Sequence, residues 1–386
     1  MPISKNHNSV ELNQKEHRCL VIITGYYGFD NLGDEAILEE LLHEVSSISS
    51  KDNIIVLSNH PEKTTALYGV KSINRWRWAE YMKLFSNASL LISGGGGLFQ
   101  DRTGPRSVIF YAAQIFMAKL LGAKVFIYAQ GLGPLRTTLG RILTQLAFRL
   151  ADVITLRDNS SIAMLKSWGL EGKLTADPVW ALSSSPLPDS VNAIVDSLRE
   201  QKDKVIGLSL REDPALKDYH LKYLAEAIAA TYPQSSVLLL PLQQNQDLSL
   251  LKQEDNYLRE LGVKTHILDS SLLSKPSYWL ALMEKLDLVI GMRLHALLMA
   301  LRSSKPVIGI AYDAKVNILL KEFGQPLLSL EDKDKDSIRN AWLETIREAK
   351  NIKFNQTLKD KLFVVEQLAR QNAIQLANML RGWHYL

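Results

Sequence analysis

Short apolar runs, each too brief for a helix, alternate with helix-forming stretches along most of the chain. They fall at residues 19–24, 53–58, 88–93, 124–129 and 152–157, and again at 205–210, 236–241, 265–268, 286–290 and 307–311. Alternation of buried strand and helix is typical of parallel sheets covered by helices. We therefore predict an α/β fold with two Rossmann-like domains that face each other across a cleft.

The boundary between the two halves is marked by composition. Residues 183–190 are rich in Ser and Pro, as a linker would be. A chain of 386 residues is also long for a single core. The expected parts are a tail at 1–18, an N-terminal domain at 19–182, a C-terminal domain at 191–350, and C-terminal helices at 351–386 that pack back on the first domain.

Charge and hydrophobicity argue against several classes of protein. The net charge of +4 is mild, and no block of like charge of the kind that binds nucleic acid is present. No apolar run approaches the roughly 20 residues that span a bilayer. The polar first eighteen residues lack the apolar core of a signal peptide, and the single Cys19 cannot form an internal disulfide. We expect a cytoplasmic protein without nucleic-acid partners.

One stretch, residues 286–302, combines a short apolar run, a turn and a helical run. In an extended turn, Arg293 and His295 would point to one side and Leu294 into the core. Free N–H groups at the start of the helix would lie beside them, and Lys315, after the next strand, would reach the same rim. Either Arg293 or His295 alone is more typical of a solvated loop or a cap. The pair between buried runs predicts a phosphate or carboxylate site.

Glycine-rich turns follow three predicted strands, at residues 25–33, 94–97 and 130–134. None is G-x-G-x-x-G or a Walker A sequence, so neither a dinucleotide site nor a P-loop is supported. Four successive glycines directly after a strand allow a ligand to approach the backbone closely, whereas a linker would be longer and more polar. We predict a ligand loop at Gly94, Gly95, Gly96 and Gly97.

Six motifs, taken in order, resemble the polysaccharide pyruvyl transferase family, most closely its CsaB branch. They lie at residues 25–36, 93–101, 130–134, 156–160, 177–178 and 291–296, and the likeness covers about residues 19–315. The resemblance implies a glycosyltransferase-B-like fold and phosphoenolpyruvate as donor. It also implies a pyruvate ketal as product, typically on N-acetylmannosamine of a lipid-linked wall polysaccharide precursor.

The resemblance also implies the donor site. Arg293, His295 and Lys315 match family positions implicated in donor binding, and either Arg136 or Arg157 should add a cation from the opposite domain. Arginine suits this role because its planar fork binds carboxylate or phosphate through two hydrogen bonds.

Ketal formation requires an acid and a base. His295 is the candidate acid, with Arg293 beside it in the catalytic set. Asp34, Glu35 and Asp101 follow glycine turns of the first domain and are the candidate bases, although helix capping explains Asp34 and Glu35 equally well.

The acceptor sugar is expected beside Gly94–Gly97, Asp34 and Glu35. No His, Cys and Asp cluster has the spacing of metal ligands, and no cofactor is expected.

A lipid-linked acceptor implies contact with the inner face of the cytoplasmic membrane. Arg75, Trp76, Arg77 and Trp78 mix cations with aromatic rings and form our hypothesis for that contact. Such segments are more often half-buried helix surface.

Two other functions fit the same fold, because fold does not determine function. A nucleotide-sugar glycosyltransferase or epimerase would need a carboxylate for the ribose, and Asp313 is the obvious candidate. A non-catalytic protein that binds anionic glycans would bind its ligand without releasing phosphate.

Overall fold

The protein is described here by a computed structural model that covers residues 19–102, 104–200, 202–331, 334–352 and 354–382. Two parallel sheets form its centre. The first has the order β3-β2-β1-β4-β5-β6-β7. Its strands are β1 (Val21–Thr24), β2 (Ile54–Ser58), β3 (Lys71–Asn74), β4 (Leu90–Ser93), β5 (Lys124–Gln130), β6 (Val153–Leu156) and β7 (Lys173–Leu174).

The second sheet has the order β10-β9-β8-β11-β12-β13. Its strands are β8 (Lys204–Ser209), β9 (Ser235–Leu239), β10 (Lys264–Ile267), β11 (Leu288–Gly291), β12 (Val307–Ala311) and β13 (Leu327–Ser329). All ten predicted strands are present, and the predicted α/β fold with two Rossmann-like halves is confirmed. The apolar runs identify these strands because both faces of each sheet are covered by helices.

Helices connect successive strands. The first half contains α1 (Leu32–Ser46), α2 (Pro61–Tyr68), α3 (Trp78–Phe85), α4 (Arg106–Leu120), α5 (Thr138–Leu150) and α6 (Asn159–Ser167). The second contains α7 (Asp189–Arg199), α8 (Asp218–Thr231), α9 (Gln244–Glu260), α10 (Pro276–Lys285), α11 (Leu294–Arg302), α12 (Ala314–Phe323), α13 (Lys335–Ala349) and α14 (Gln356–Gly382). Asp158 caps α6, accepting from the Ser161 amide at 2.7 Å.

The two halves share a hydrophobic core. The rings of Trp180 and Phe323 stack with centroids 5.2 Å apart, and Glu39 of α1 accepts hydrogen bonds from the amide and hydroxyl of Ser277 on α10. Helix α14 returns to the first half, where the Asn372 side chain donates to the Ala176 carbonyl at 3.1 Å. These contacts hold the carboxyl ends of both sheets toward one cleft.

In each sheet the strand order reverses once, between β1 and β4 and between β8 and β11. Loops leave such a switch point in opposite directions and leave a crevice at the carboxyl ends of the strands. The two crevices face each other. Residues that follow β1, β4, β8 and β11 are therefore the ones that the fold brings to the cleft.

Candidate active site

A cleft of about 480 Å³ lies between the two sheets. From the first half it is lined by the start of α1, the glycine loop after β4 and one arginine after β6. From the second half it is lined by the exits of β8, β11 and β12. Its charged and titratable lining residues are Tyr26, Asp34, Tyr111, Arg157, Arg211, Arg293, His295, Tyr312, Asp313 and Lys315.

Arg157, Asp177 and His295 form a charged group where the two halves meet, and Arg157 and His295 of this group line the cleft. Arg157 donates to Oδ2 of Asp177, and both side chains are less than 10% exposed. The His295 Nε2 atom lies 3.7 Å from the same oxygen. Burial alone would raise the pKa of Asp177, but the charges of Arg157 and His295 lower it well below its usual range. The carboxylate therefore accepts a hydrogen bond from the arginine and lies within ion-pair distance of the imidazole.

Arg293 occupies the N-cap of α11 and donates to Asp247, a fully buried acid of α9. Its Nε group has no hydrogen-bond partner within the described part of the chain. Because α11 begins at Leu294, the alternation expected of an extended turn does not apply. Leu294, predicted to turn into the core, is partly buried and packs against the core, and it also lines the cleft beside His295.

Arg211 also lines the cleft, although no role was predicted for it from the sequence. Its guanidinium lies 5.0 Å from the centre of the Tyr312 ring, and its buried Nε has no partner in the described ranges. Arg211 follows β8 much as Arg293 follows β11, and these strands are neighbours. The signal in the sequence is the position of Arg211 directly after the apolar run at residues 205–210. Arg211 and Arg293 thus both line the cleft.

Asp34 lies in the first turn of α1, whose N-cap is Asn31. Burial and the nearby Glu35 raise the pKa of Asp34 to about 7, although Arg157 and Lys315 oppose the rise. Gly96, with a φ of +100°, passes so close that a Cβ there would lie 3.0 Å from Asp34 Oδ1. Asp34 can therefore exchange a proton near neutral pH at the cleft wall.

Lys315 lies in the first turn of α12 and lines the cleft opposite Gly97. Loss of solvent around its ammonium and the charge of Arg157 lower the pKa of Lys315. Asp313, the candidate ribose ligand, caps α12 through the Lys315 amide at 2.9 Å. Its second oxygen accepts from Arg102 of the first half at 3.1 Å. Both Asp313 oxygens thus have protein partners.

Several predicted site residues are not brought to this cleft. Asp101 accepts from the Thr137 amide and hydroxyl and from the Arg136 amide, so it stabilises the start of α5. Burial would raise the pKa of Asp101, but these hydrogen bonds lower it. The Arg136 side chain is exposed outside the cleft. Of the two candidate cations from the first half, Arg157 is the one that lines it.

The other acceptor-side candidates divide between the cleft and its surroundings. Gly96 and Gly97 line the cleft, whereas Gly94 and Gly95 pack against Tyr27 and the β5 backbone. Glu35 faces a second cavity of about 470 Å³ between the halves, where it accepts from the Gly28 amide at 2.8 Å. Burial raises the pKa of Glu35 to about 7.

The segment predicted to contact a membrane is only partly exposed. Arg75 is 4% exposed and donates to the Gly25 carbonyl and to the Tyr111 hydroxyl. Its membrane-facing role was therefore wrong, because the guanidinium is held inside the first domain. Trp76 and Arg77 are exposed, and Trp78 is half-buried. No helix in the described ranges is long and apolar enough to cross a membrane.

Within the described ranges, no group of three or more His, Cys, Asp or Glu side chains is arranged to hold a metal ion. The cations, the imidazole and the Asp34 carboxyl are the groups that this cleft offers for chemistry. Together they can bind a small polyanion and transfer protons beside it.

Two helix-covered parallel sheets with a cleft between their carboxyl ends define a fold like that of glycosyltransferase-B enzymes. HepE of Anabaena, solved with UDP, is similar over 94% of this chain and 99% of its own, with 15% identity and a TM-score of 0.56. The UDP-GlcNAc 2-epimerase of Methanocaldococcus jannaschii is similar over 87% and 92%, with 13% identity and a TM-score of 0.59. The galactosyltransferase WaaB is similar over 92% and 99%, with 13% identity and a TM-score of 0.51.

At such identities these likenesses establish the fold alone. The family is established by sequence, since the profile for polysaccharide pyruvyl transferase matches residues 31–314. The chain belongs to the polysaccharide pyruvyl transferase family. No individually curated protein matches it significantly.

Proposed function

We propose that this protein transfers the enolpyruvyl group of phosphoenolpyruvate to a sugar and closes it to a pyruvate ketal, releasing phosphate. The observation that carries the proposal is the convergence of Arg157, Arg211 and Arg293 from both sheets on one cleft. In phosphoenolpyruvate, a phosphate and a carboxylate are both attached to C2. A site for it needs several fixed cations, and arginine forks suit both groups.

The position of each cation suggests how the donor lies. Arg211 and Arg293 follow neighbouring strands and line the same cleft, so both can bind one anionic group. Arg157 and Lys315 lie on the Asp34 side of the cleft and can bind the other. In this arrangement the C2 atom of the donor lies between His295 and Asp34.

The chemistry follows from these positions. Protonation of the donor methylene carbon by His295 makes C2 electrophilic, and a sugar hydroxyl attacks C2 while Asp34 takes its proton. Cleavage of the C2–O bond releases phosphate, and a second hydroxyl closes the ketal. The two sugar hydroxyls lose two protons in all. One restores the proton that His295 gave to the methylene carbon, and the other leaves with the phosphate. Arg293 stabilises the developing negative charge.

The acceptor would lie along Gly96 and Gly97, where missing side chains let a sugar approach the backbone. Asp34 borders the same place. The family implies a polysaccharide acceptor. The likeness to the CsaB branch further suggests N-acetylmannosamine on a lipid-linked wall precursor.

Phosphate release from phosphoenolpyruvate, with and without a synthetic N-acetylmannosamine acceptor, tests the proposal. We expect acceptor-dependent release and a product that has gained pyruvate minus water. Release should fall by at least about 100-fold in His295→Ala. Arg339→Ala is the matched control, because Arg339 pairs with Glu226 on an exposed surface remote from the cleft. Donor binding without release over a panel of acceptors would favour a glycan-binding protein instead.

A nucleotide-sugar enzyme is the second candidate, since structures with the same fold contain UDP or act on UDP-GlcNAc. Against it, both Asp313 oxygens already have protein partners. Calorimetric titration separates the two functions. Binding of UDP-GlcNAc without binding of phosphoenolpyruvate would replace the pyruvyl transfer proposal.

A further inference from the structure

Helices α4 and α5 form one continuous outer surface of the first half. They connect the successive parallel strands β4, β5 and β6, so right-handed crossovers place them side by side on the same face of the sheet. They pack directly against each other. We call the solvent side of this pair the α4–α5 face.

The α4–α5 face is unusually apolar for a surface. The outward side of α5 exposes four large apolar residues spaced three or four apart, and α4 exposes two more near its ends. They are Leu139 (48%), Ile142 (49%), Leu146 (44%), Leu150 (39%), Ile109 (42%) and Leu120 (83%). Single exposed apolar residues are normal, but a stripe along a whole helix marks an interaction surface.

The charged side chains of these two helices are all basic, and Lys119 of α4 pairs with Asp152 just after α5. Neither α4 nor α5 contains an acidic residue. Arg141 and Arg149, exposed beside the apolar stripe, donate to the carbonyls of Leu135 and Trp168. Within the described ranges neither lies within ion-pair distance of a carboxylate. Arg106 and Arg136 add exposed cations where the two helices begin.

We propose that the α4–α5 face docks on an anionic lipid bilayer. An apolar stripe flanked by arginines that have no carboxylate partner in the described ranges matches the surface of such a bilayer. There, apolar groups enter the headgroup region and cations meet lipid phosphates. Both helices begin at the carboxyl edge of the first sheet, and Ser107 of α4 lines the cleft. Docking therefore brings the cleft close to the lipid headgroups. The apolar residues and the two arginines of this face do not line the cleft, so docking does not depend on the proposed reaction.

A second copy of the chain fits the α4–α5 face less well. A two-fold interface would place the same arginines opposite one another without acidic partners. Another apolar pair, Phe363 and Val364 on α14, is as exposed but lies among residues of both charges. These two residues make a matched control for the loss of exposed apolar surface.

The test is co-sedimentation of the full chain with vesicles of phosphatidylcholine, with or without phosphatidylglycerol. We expect wild-type protein to bind the anionic vesicles. The triple variant Leu139→Ser, Ile142→Ser and Leu146→Ser should bind them at least about tenfold more weakly. Phe363→Ser with Val364→Ser should bind like wild type. Equal unfolding temperatures of both variants would show that the fold is retained.

Arg141→Gln and Arg149→Gln test the electrostatic half of the proposal. Each should weaken binding to anionic vesicles by about fivefold and leave weak binding to neutral vesicles unchanged. No binding of wild-type protein, or equal loss in the α14 control, would overturn the proposal. If the triple variant keeps vesicle binding and instead turns a dimer into a monomer by light scattering, the face joins two copies. Turnover of a water-soluble acceptor tests the proposed reaction separately.

Discussion

Asp177 of the first half and His295 of the second meet where the two halves pack together, with 3.7 Å between Oδ2 and Nε2. One residue follows the last strands of the first sheet, and the other lies in the first turn of α11 in the second half. The same Asp177 oxygen receives a hydrogen bond from Arg157. A single carboxylate thus binds a candidate donor ligand and lies within ion-pair distance of a candidate acid, and this geometry depends on how the two halves pack.

Replacement of Asp177 should affect stability as well as activity. Asp177→Asn leaves the Arg157 guanidinium buried without its counter-charge, and we expect a loss of about 3 kcal/mol in the free energy of unfolding. The folded state lowers the pKa of Asp177, so its stabilisation is present above the unfolded pKa near 4 and is lost as pH falls below that value. Urea unfolding at pH 7 and at pH 3 should therefore show a smaller difference between wild type and variant at the lower pH.

Gly33→Ala separates the placement of His295 from its chemistry. A Cβ at residue 33 would lie 2.0 Å from His295 Nδ1, so the imidazole must move. Alanine otherwise favours a helix over glycine by about 1 kcal/mol, and α1 itself should persist. We expect at least about a tenfold loss of kcat with little change in the unfolding temperature. An active enzyme with unchanged kinetics would contradict the assigned role of His295.

Combining Gly33→Ala with His295→Ala supplies the control. The double variant should be no slower than His295→Ala alone, because alanine at residue 295 leaves room for the new methyl group. Additive losses would mean that Gly33→Ala acts through another part of the site.

Asp34 should control the pH dependence of the reaction. As a base, Asp34 acts when ionised, so the rising limb of the pH profile should have its midpoint at about 7. Asp34→Asn should remove this step and lower kcat by about 100-fold or more. The pH profile of kcat/KM in both proteins measures the effect, and an unshifted profile in the variant would argue against Asp34.

The same substitution has an opposite effect on stability. Because the pKa of Asp34 is raised in the folded state, ionisation favours unfolding, and this cost grows as pH rises from about 4 to 7. We expect Asp34→Asn to be more stable than wild type by up to about 4 kcal/mol at pH 8 and no more stable at pH 4. That pattern in urea unfolding also excludes misfolding as the cause of lost activity.

Arg211 and Arg293 should contribute to donor affinity through their geometry as well as their charge. Lysine keeps the charge but loses the fork, so Arg211→Lys or Arg293→Lys should raise the Kd for phosphoenolpyruvate by about 10- to 100-fold. Arg339→Lys serves as the matched control. Calorimetry measures binding directly, and unchanged affinity in both cleft variants would place the donor elsewhere.

The sequence determined the fold class and the region of the site. Apolar runs of four to six residues identified the strands because both faces of each sheet are buried. The exits of β4 and β11 were predicted to bind ligand because parallel strands all end at the carboxyl edge of their sheet. Arg293, His295, Lys315, Asp34 and the last two glycines of residues 94–97 all line the cleft.

Only the tertiary structure decided the partners of these residues. Asp247 lies within a helix 46 residues before Arg293, and no local pattern distinguishes it from a surface acid. Asp101, like Asp34, follows a glycine turn in the sequence, yet its carboxylate accepts hydrogen bonds from the amide and hydroxyl of Thr137. Arg75 looked like a surface cation, yet its guanidinium is enclosed by aromatic rings. Local periodicity determines which face of a strand or helix is buried, whereas the partner of a polar side chain depends on how distant segments pack.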